Sequence, residues 1–407
     1  MIKTLFRPVD NSPLVIFRAI FGLLIMLEAW GAIFTGWVSA NFIEPAYNFP
    51  FIWFSFLRPL PGNGMIYFYI VMGAFGALVM LGYKYRLAMI SYALMWTAVY
   101  LMQKTSYNNH YYLLMLLNWV MCFLPANRAF SLDARLNPKI KEAHCPQWCL
   151  WFFTLQVTIV YIYASVAKMY PDWVSGEVVS IFFAGKRNYL LIGSMLQYSW
   201  LIMLISWGGL LFDLLIAPAL MWNRTRQVAF LISIFFHLFN SAVFQVGIFP
   251  YLGIAFALFF YPPAQIRRLF FRNHAEVKVP SNYYSTNKWV TSILAIYFLF
   301  QIILPLRHWR YEGNVYWTEE GHRLSWRMML RAKSGNISFR VKTDSAEWII
   351  PATDYVTNKQ ASKIATRPDM CWQFVQILKS DLESNGIESP EIYPIGRARL
   401  NKRPYAP

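Results

Sequence analysis

The chain contains an apolar run that closes on a lysine, Cys149-Leu-Trp-Phe-Phe-Thr-Leu-Gln-Val-Thr-Ile-Val-Tyr-Ile-Tyr-Ala-Ser-Val-Ala-Lys168. The run has no earlier charge, and its length suits a bilayer-spanning helix, which needs about 20 residues. Because charge is costly in lipid, an ionisable group at the end of such a helix is a candidate functional residue. Two interpretations of Lys168 are open: a side chain that snorkels to the headgroups, or an amine kept neutral by desolvation so that it acts as a base.

The composition indicates the class of protein. The 407 residues are 57% hydrophobic, 18% aromatic and only 14% charged, whereas soluble proteins carry about 25% charged residues. The net charge of +17 comes from basic residues in short loops between apolar segments. These read as orientation signals rather than as a nucleic-acid-binding face, so we expect no nucleic-acid partner.

Apolar windows of about the length of a spanning helix recur along the chain. The window at 247–262 is short and adjoins its predecessor at Phe249-Pro250, so a count of eight instead of nine stays open. The sequence predicts a polytopic α-helical membrane protein, embedded in a lipid bilayer, with about nine transmembrane helices. The windows are 14–35, 65–82, 87–103, 111–126, 149–168, 199–222, 227–245, 247–262 and 289–306.

The distribution of basic loops predicts an orientation by the positive-inside rule. With the N-terminus in the cytoplasm, the inner loops are rich in Lys and Arg and the outer loops are poorer. Nine spans then place the C-terminal segment on the outer, extracytoplasmic face. The predicted inner basic residues are Lys3 and Arg7; Lys84 and Arg86; Arg128, Arg135, Lys139 and Lys141; Arg224 and Arg226; and Arg267, Arg268, Arg272 and Lys278.

The composition becomes mixed and polar after Arg307. We therefore predict two domains, a transmembrane helical domain at 1–306 and a small extracytoplasmic α+β domain at 307–407 that closes over the active site. The predicted strands are 337–341, 347–350 and 392–400. Residues 357–384 fit one amphipathic helix whose apolar stripe is Trp372, Val375, Leu378 and Leu382.

The predicted topology brings polar groups that are distant in sequence to one membrane boundary. These groups are the stretch Lys104–His110, Lys168, and the outer half of the span that carries His237 and Asn240. Taken alone, His237 fits a packed histidine hydrogen-bonded between helices as well as it fits a site residue. Asn109 and Asn240 fit interhelical hydrogen bonding equally well.

Several common chemistries lack their motifs. The sequence has no Gly-rich phosphate loop and no G-x-S-x-G nucleophile elbow. The four cysteines show no metal-ligand spacing, and no two histidines are four residues apart, so we expect no metal site. The six histidines are His110, His144, His237, His274, His308 and His322.

A series of short motifs runs along nearly the whole chain. In the apolar part they are Phe56-Leu-Arg-Pro-Leu-Pro61, Leu81-Gly-Tyr-Lys-Tyr-Arg86, Lys104-Thr-Ser-Tyr-Asn-Asn-His110, Ala126-Asn127 with Ser131, Ala143-His-Cys-Pro-Gln-Trp148, Val166-Ala-Lys168 with Asp172-Trp173, Gly208-Gly-Leu-Leu-Phe-Asp213 and Phe236-His-Leu-Phe-Asn-Ser241. Asn314-Val-Tyr-Trp317, Ser325-Trp-Arg-Met-Met329 and Pro390-Glu-Ile-Tyr393 follow. In content and order they resemble the motifs of the vitamin K-dependent gamma-carboxylase family.

The resemblance implies a coupled reaction. Reduced vitamin K, a lipid-soluble quinol, would be oxidised by O₂ to the epoxide, and the strong base so generated would remove a γ-proton from a glutamyl side chain of a protein or peptide. CO₂ would then add to give γ-carboxyglutamate, and no metal would be required. The resemblance assigns the base to Lys168 and the glutamyl side of the site to His110 with Asn109. It places Tyr161, His237 and Asn240 around the same cavity, and His308, Trp326 and Met329 in the part of the C-terminal domain that closes over it.

The physical chemistry of the lysine adds to this picture. An amine acts as a base only in its neutral form, and an apolar boundary without a nearby carboxylate favours that form. The acid nearest in sequence is Asp172, which we expect outside the membrane. We therefore expect no carboxylate beside Lys168.

Two functions of other classes remain as alternatives. One is a quinol epoxidase or oxidase without a glutamyl acceptor, and the other is a non-catalytic membrane protein that uses the same fold as a binding platform. The joint presence of Lys168, His110 and His237 argues against the platform, because a scaffold needs none of them together.

Overall fold

The computed structural model describes residues 2–189, 192–244, 246–271 and 283–406, so Arg272, His274 and Lys278 lie outside the described residues. Up to residue 310 the described chain is mostly helical. Its longer helices are α1 (Ser12–Phe34), α2 (Gly64–Leu81), α3 (Tyr85–Met102), α4 (Asn109–Phe123), α5 (Trp148–Lys168), α6 (Glu177–Ala184), α7 (Ser199–Met221), α8 (Arg226–Phe244), α9 (Phe249–Phe256), α10 (Pro263–Phe270) and α11 (Lys288–Leu306).

Six of the described helices are long and apolar enough to cross a bilayer: α1, α2, α5, α7, α8 and α11. The pair α9 and α10 would make a seventh if it forms one bent span. Helix α3 is not among them, and neither is α4, whose 15 residues extend only about 22 Å. The structure therefore confirms a helical protein with several apolar spans, and the count of nine stays a prediction.

The predicted span at 247–262 ends in a sharp bend of the chain. Helix α9 continues as a tighter turn to Phe260, and the chain then bends by 117° into α10. The bend falls at Pro262 and Pro263, which lack the N–H groups that would continue the helical ladder. The window therefore packs inside the bundle as far as Phe260, and the chain turns away beyond it.

Helices α1 and α2 pack very closely because glycines face the partner backbone. A Cβ atom at Gly22 would lie 2.2 Å from the Met80 backbone nitrogen, and one at Gly76 would lie 2.8 Å from that of Met26. Small residues of this kind let membrane helices approach closely enough for backbone packing. We infer that larger side chains at these positions would separate the two helices.

The polar connections of the bundle gather at its two ends. At one end the short strands β1 (Pro8–Asp10) and β2 (His144–Pro146) pair, and Arg267 forms an ion pair with Asp10. Two of the basic loops predicted to lie inside also contact each other there, because the Lys84 backbone N–H donates to Asp133 Oδ1 (2.7 Å). The opposite end carries the C-terminal domain. The basic loops that contact each other and the C-terminal domain thus lie at opposite ends of the bundle. The side of the membrane that each end occupies stays a prediction.

The C-terminal domain contains a three-stranded antiparallel sheet in the order β4-β3-β5, formed by β3 (Lys333–Lys342), β4 (Glu347–Pro351) and β5 (Glu391–Leu400). The predicted strands are confirmed. The predicted single helix at 357–384 is wrong, because Pro368 begins a new helix after a break. The two helices are α12 (Asn358–Ile364) and α13 (Pro368–Ser384).

The apolar stripe of α13 also differs from the prediction. Trp372 is 54% exposed, and the side chains that face the sheet are Met370, Phe374, Leu378 and Leu382. They recur every four residues, so they share one face once the helix begins at Pro368. Leu378 and Leu382 belong to both stripes and Val375 packs partly buried against the same core, so Trp372 is the residue that the prediction misplaced.

The C-terminal domain completes its core with residues of the membrane part. Phe49, from the loop after α1, is fully buried among Phe339, Phe374 and their neighbours. Asp369 accepts hydrogen bonds from Lys104 Nζ (2.5 Å) and Arg323 Nη1 (2.8 Å). At a second point Asp172 binds Asn401 and Arg403. These contacts fix the domain over the ends of α3, α4 and α5.

Loss of the Asp369 carboxylate should loosen this docking. Burial raises the pKa of Asp369, but hydrogen bonds and charge from Arg323 and Lys104 outweigh that effect and lower the pKa to about 2. The carboxylate therefore stabilises the fold at all pH values above its ordinary pKa of about 3.9, and this stabilisation is lost as the pH falls toward 2.

We expect Asp369→Asn to lower the free energy of unfolding by about 1–3 kcal/mol at pH 7. The measurement is the melting temperature of the purified protein in detergent at pH 7. Asp344→Asn, in the exposed turn between β3 and β4, is the control and should leave the melting temperature unchanged. Equal melting temperatures of the two variants would contradict the proposed role of Asp369.

The predicted orientation can be tested by labelling two exposed turns at opposite ends of the bundle. In a background without the four native cysteines, Ser345→Cys should react with a membrane-impermeant maleimide on intact cells. Asn223→Cys, in the turn between α7 and α8, should react only after permeabilisation. The reverse pattern would refute the orientation and place the C-terminal domain inside.

Candidate active site

A cavity of about 450 Å³ lies between α5, α7, α8 and α9, and its wall is largely aromatic and aliphatic. A small set of polar side chains interrupts this wall. They include most of the residues singled out from the sequence: His110, Tyr161, Lys168, His237 and Asn240, together with Asp213. Convergent polar groups in an apolar cavity are typical of ligand sites.

Lys168 ends α5, because Pro171 follows and cannot extend the helix. Its side chain is buried, and Nζ forms a hydrogen-bonded ion pair with Asp213 of α7. The Trp173 ring centroid lies 5.3 Å from Nζ on another side. The expectation that no carboxylate lies near Lys168 is therefore wrong. The snorkelling interpretation also does not fit, because the amine points to a buried carboxylate rather than to the surface.

Asp172, the acid nearest to Lys168 in sequence, does not pair with the lysine. Its carboxylate turns away and binds Asn401 and Arg403 of the C-terminal domain. The acid nearest in sequence therefore holds the domains together. The acid nearest in space comes from a helix 45 positions further along the chain.

His237 combines the two interpretations left open for it. It is almost fully buried, and its Nε2 shares a hydrogen bond of 3.0 Å with the Tyr161 hydroxyl. A Cβ atom at residue 253 would lie 2.4 Å from His237 Cε1, so Gly253 makes the room that the imidazole needs. His237 is thus a packed, hydrogen-bonded histidine that also forms part of the cavity wall.

His110 lies in the first turn of α4. Asn108 sets the start of that helix by accepting a hydrogen bond from the Tyr111 backbone N–H (2.7 Å). The His110 ring stacks on Phe249 of α9, with ring centroids 4.0 Å apart. His110 borders the large cavity and also a second, smaller one.

The second cavity, of about 220 Å³, lies where α4 meets the C-terminal domain, and its wall is strongly basic. It is lined by five cationic side chains, Arg327, Arg331, Lys333, Lys363 and Arg367, and by His322 and Glu319. Burial and the Arg367 charge lower the pKa of Lys363 to about 8. Burial and the Arg323 charge lower the pKa of Arg367 to about 10. Both directions are those expected of cations held together with too few anions.

The wall shared by the two cavities is formed by His110, Met328 and Met329. The two methionines belong to a strained segment, since Leu324, Trp326 and Met329 have φ values of +57°, +56° and +50°. The membrane part holds this segment in place. The Leu324 backbone N–H donates to the Tyr107 hydroxyl (2.6 Å), and Asn109 Nδ2 donates to the Arg327 carbonyl (2.7 Å). Left-handed backbone of this kind persists only where its surroundings hold it, and it clusters at functional sites.

Asn109 lines the second cavity, whereas His308 and Trp326 act at one remove from both cavities. Asn109 uses both ends of its amide, donating to the Arg327 carbonyl and accepting from the Tyr107 hydroxyl (2.8 Å). His308 donates from Nδ1 to the Pro305 carbonyl, so its Nε2 accepts from Arg327 (2.7 Å). Trp326 is fully buried against Tyr112, with ring centroids 5.0 Å apart. Neither His308 nor Trp326 lines the two cavities, whereas Met329 lines both.

The sequence reasoning missed Asp213 and the basic cavity. Asp213 stands inside one of the quoted motifs, Gly208–Asp213, and an acid within an apolar window was the signal that could have found it. The cations of the second cavity are scattered from Arg327 to Arg367 in a stretch rich in basic residues, where no spacing marks them. Within the part of the chain that the structure describes, no group of three or more His, Cys, Asp or Glu side chains could hold a metal ion.

Comparison with protein families matches two models to the chain, and the second match begins before α11. The model of the HTTM domain matches residues 6–264. The model of the vitamin K-dependent gamma-carboxylase lumenal domain matches residues 286–407. No solved structure matches the chain.

Proposed function

The chain belongs to the vitamin K-dependent gamma-carboxylase family, and we propose that it couples oxidation of a reduced naphthoquinone to carboxylation of glutamyl side chains on the extracytoplasmic face. In this reaction the quinol and O₂ give the epoxide and water. One γ C–H bond of the glutamyl side chain is replaced by a C–C bond to CO₂, and a proton is released. The observation that carries the proposal is that an apolar cavity and a basic cavity meet at His110, Met328 and Met329.

The apolar cavity fits a lipid-soluble quinol. Its wall includes Leu204 of α7 and Ile232 and Phe235 of α8, side chains that are exposed on the outside of the bundle. Phe235, for example, is 73% exposed. A cavity lined by residues that also face lipid can admit a headgroup while its isoprenoid tail stays in the bilayer. When bound, the reduced quinone supplies the strong base for carboxylation through its oxidation by O₂.

Lys168 and Asp213 form the proton-accepting unit at the inner end of this cavity. The pair has no net charge whether its shared proton lies on the amine or on the carboxylate. With that proton on Asp213, Lys168 Nζ has a free lone pair that can accept a proton from a quinol hydroxyl. The pair then carries a positive charge in an apolar environment, where it strongly stabilises the negative charge left behind.

His110 stands between the two reactants. A ring N–H at this position can donate to negative charge developing on the glutamyl side chain, an interaction made mainly in the transition state. The cations of the basic cavity can hold the carboxylate of the glutamyl substrate on the other side. Met328 and Met329 close the boundary with apolar groups, which keeps water from quenching a strong base.

The role of Lys168 predicts the effect of its removal. Lys168→Ala should abolish epoxide formation and carboxylation together, because both depend on the first proton transfer, and a small exogenous amine should restore part of each. Lys288→Ala is the control, since Lys288 is an exposed lysine at the end of another apolar helix. Both products are measured on protein shown to be folded by its melting curve. Full epoxidation by a folded Lys168→Ala variant would remove Lys168 from the mechanism.

The role of His110 predicts that the two half-reactions can be separated. His110→Ala should lower carboxylation by about 10²–10⁴-fold while epoxidation falls much less, because the imidazole serves the glutamyl side. His144→Ala, at the opposite end of the bundle, is the control and should keep both activities. Epoxide, fixed CO₂ and melting temperature are measured on the same preparations. Parallel loss of both products with a lowered melting temperature would instead make His110 a packing residue.

One assay tests the proposed function as a whole. The purified chain is incubated with reduced vitamin K, labelled bicarbonate and a glutamyl peptide, and epoxide and fixed label are followed separately. The proposal predicts both products and dependence of the fixed label on the quinol. Epoxide without label, with several peptides, would support the quinol epoxidase instead, and neither product would support the binding platform.

A further inference from the structure

The basic cavity carries more positive charge than its own carboxylate balances. Five cationic side chains line it, and Glu319 is the one carboxylate among its described lining residues. Glu319 is already bound, because Arg331 contacts both of its oxygens and Lys333 lies 3.7 Å away. The remaining cations therefore have no anion within the cavity wall.

The partners of these remaining cations are neutral. Arg327 donates to His308 Nε2 (2.7 Å) and to the Tyr316 hydroxyl (3.3 Å). Arg367 donates to the Lys104 carbonyl (3.4 Å). The ammonium group of Lys363 forms no hydrogen bond or ion pair with the described part of the chain, although the residue is half-buried. Neutral partners satisfy N–H groups but do not offset charge.

Two donors in this wall also lack partners. The Nε atoms of Arg327 and Arg331 are buried and form no hydrogen bond with any described residue, and the Arg331 side chain is only 10% exposed. Leaving a buried charged donor unpaired is costly, so its persistence points to a ligand that completes it. Burial, and to a smaller extent neighbouring cations, lowers the pKa values of Lys363 and Arg367.

The cations come from two separate stretches of chain. Arg327, Arg331 and Lys333 belong to the segment that leads into β3, and Lys363 and Arg367 belong to α12 and the turn after it. Each stretch can therefore serve one anionic group. One glutamyl carboxylate would engage one set and leave the other uncompensated.

We infer that the basic cavity binds two carboxylate groups held side by side, as in a malonate-type dicarboxylate. The identity of the natural ligand rests on the proposed function, since carboxylation turns a glutamyl side chain into a malonate-type group. A pair of adjacent acidic residues in the substrate presents the same chemistry. In the first case the product is held more firmly than the substrate, and its release becomes a slow step. In the second the cavity selects acidic segments.

The binding is tested without turnover. The full chain in detergent is titrated with malonate and with acetate by isothermal calorimetry at constant ionic strength. We expect malonate to bind at least about tenfold more tightly than acetate, because it engages both sets of cations. Equal affinities would overturn the inference, and so would binding of sulfate as tight as that of malonate, which would indicate a site for any dianion.

Variants locate the binding within the cavity. Lys363→Met and Arg367→Gln each remove one charge from the second set and should weaken malonate binding about tenfold while changing acetate binding little. The side chain of Lys363 forms no hydrogen bond among the described residues, so the Lys363→Met variant keeps the test valid if Arg367→Gln does not fold. Lys379→Met, on the exposed side of α13, is the matched control. Unchanged malonate affinity in a folded Lys363→Met variant would overturn the assignment.

Peptides then distinguish the two sources of the dicarboxylate. A peptide with one γ-carboxyglutamate and a peptide with two adjacent glutamates are compared with a peptide that has one glutamate. Tighter binding of the γ-carboxyglutamate peptide than of the other two identifies the product as the ligand, whereas tightest binding of the adjacent pair identifies an acidic substrate segment. Malonate binding by a chain that does not fix CO₂ would refute the proposed function alone, and carboxylation without a preference for malonate would refute only this inference.

Discussion

A charge buried among apolar helices needs a partner of opposite charge, and the pair of Lys168 and Asp213 meets this requirement in the wall of the large cavity. The pair ties the end of α5 to the middle of α7, and the wall of the large cavity depends on that connection. Removing one partner of a buried pair leaves an uncompensated charge, which costs about 3–5 kcal/mol. The same arrangement gives the amine a group with which it can share a proton. One contact therefore serves both the fold and the proposed chemistry.

The C-terminal domain forms one side of the candidate site. Its ion pairs through Asp369 and Asp172 hold it on the bundle, and Phe49 of the membrane part fills its core. This docking places the strained segment of Leu324, Trp326 and Met329 against α4. Without it neither the basic cavity nor the wall shared with the apolar cavity would exist. The two domains therefore form one site rather than two.

The sequence predicted the elements of the fold better than their relationships. Every apolar window contains helix and the predicted strands are present, because periodicity and composition act locally. The span count is not confirmed, since α4 is short and Pro262-Pro263 bends the chain at the end of the window at 247–262. Pro368 likewise ended a helix that the pattern at 357–384 had treated as continuous.

The candidate site shows the same difference between local features, which the sequence indicates, and contacts between distant segments, which it does not. In the structure His110, Lys168, Tyr161, His237 and Asn240 all line one cavity, and the roles that the resemblance implies for them stay predictions. The partner of Lys168 was missed because α5 and α7 meet only in the folded chain. The basic cavity was missed for a similar reason, since its cations come from two segments brought together by the sheet and α12. His308 and Trp326 support the site through Arg327 and Tyr112 rather than by lining it.

The central claim is that a quinol and a glutamyl carboxylate occupy two adjoining cavities that meet at His110. It is tested most directly by an experimental structure of the full chain with a non-oxidisable naphthoquinone analogue and a glutamyl peptide. We predict the naphthoquinone ring beside Lys168 and Asp213, the peptide carboxylate on one of the two sets of cations in the basic cavity, and the γ-carbon facing His110. A ring bound away from Lys168, or a peptide carboxylate bound outside the basic cavity, would contradict the account.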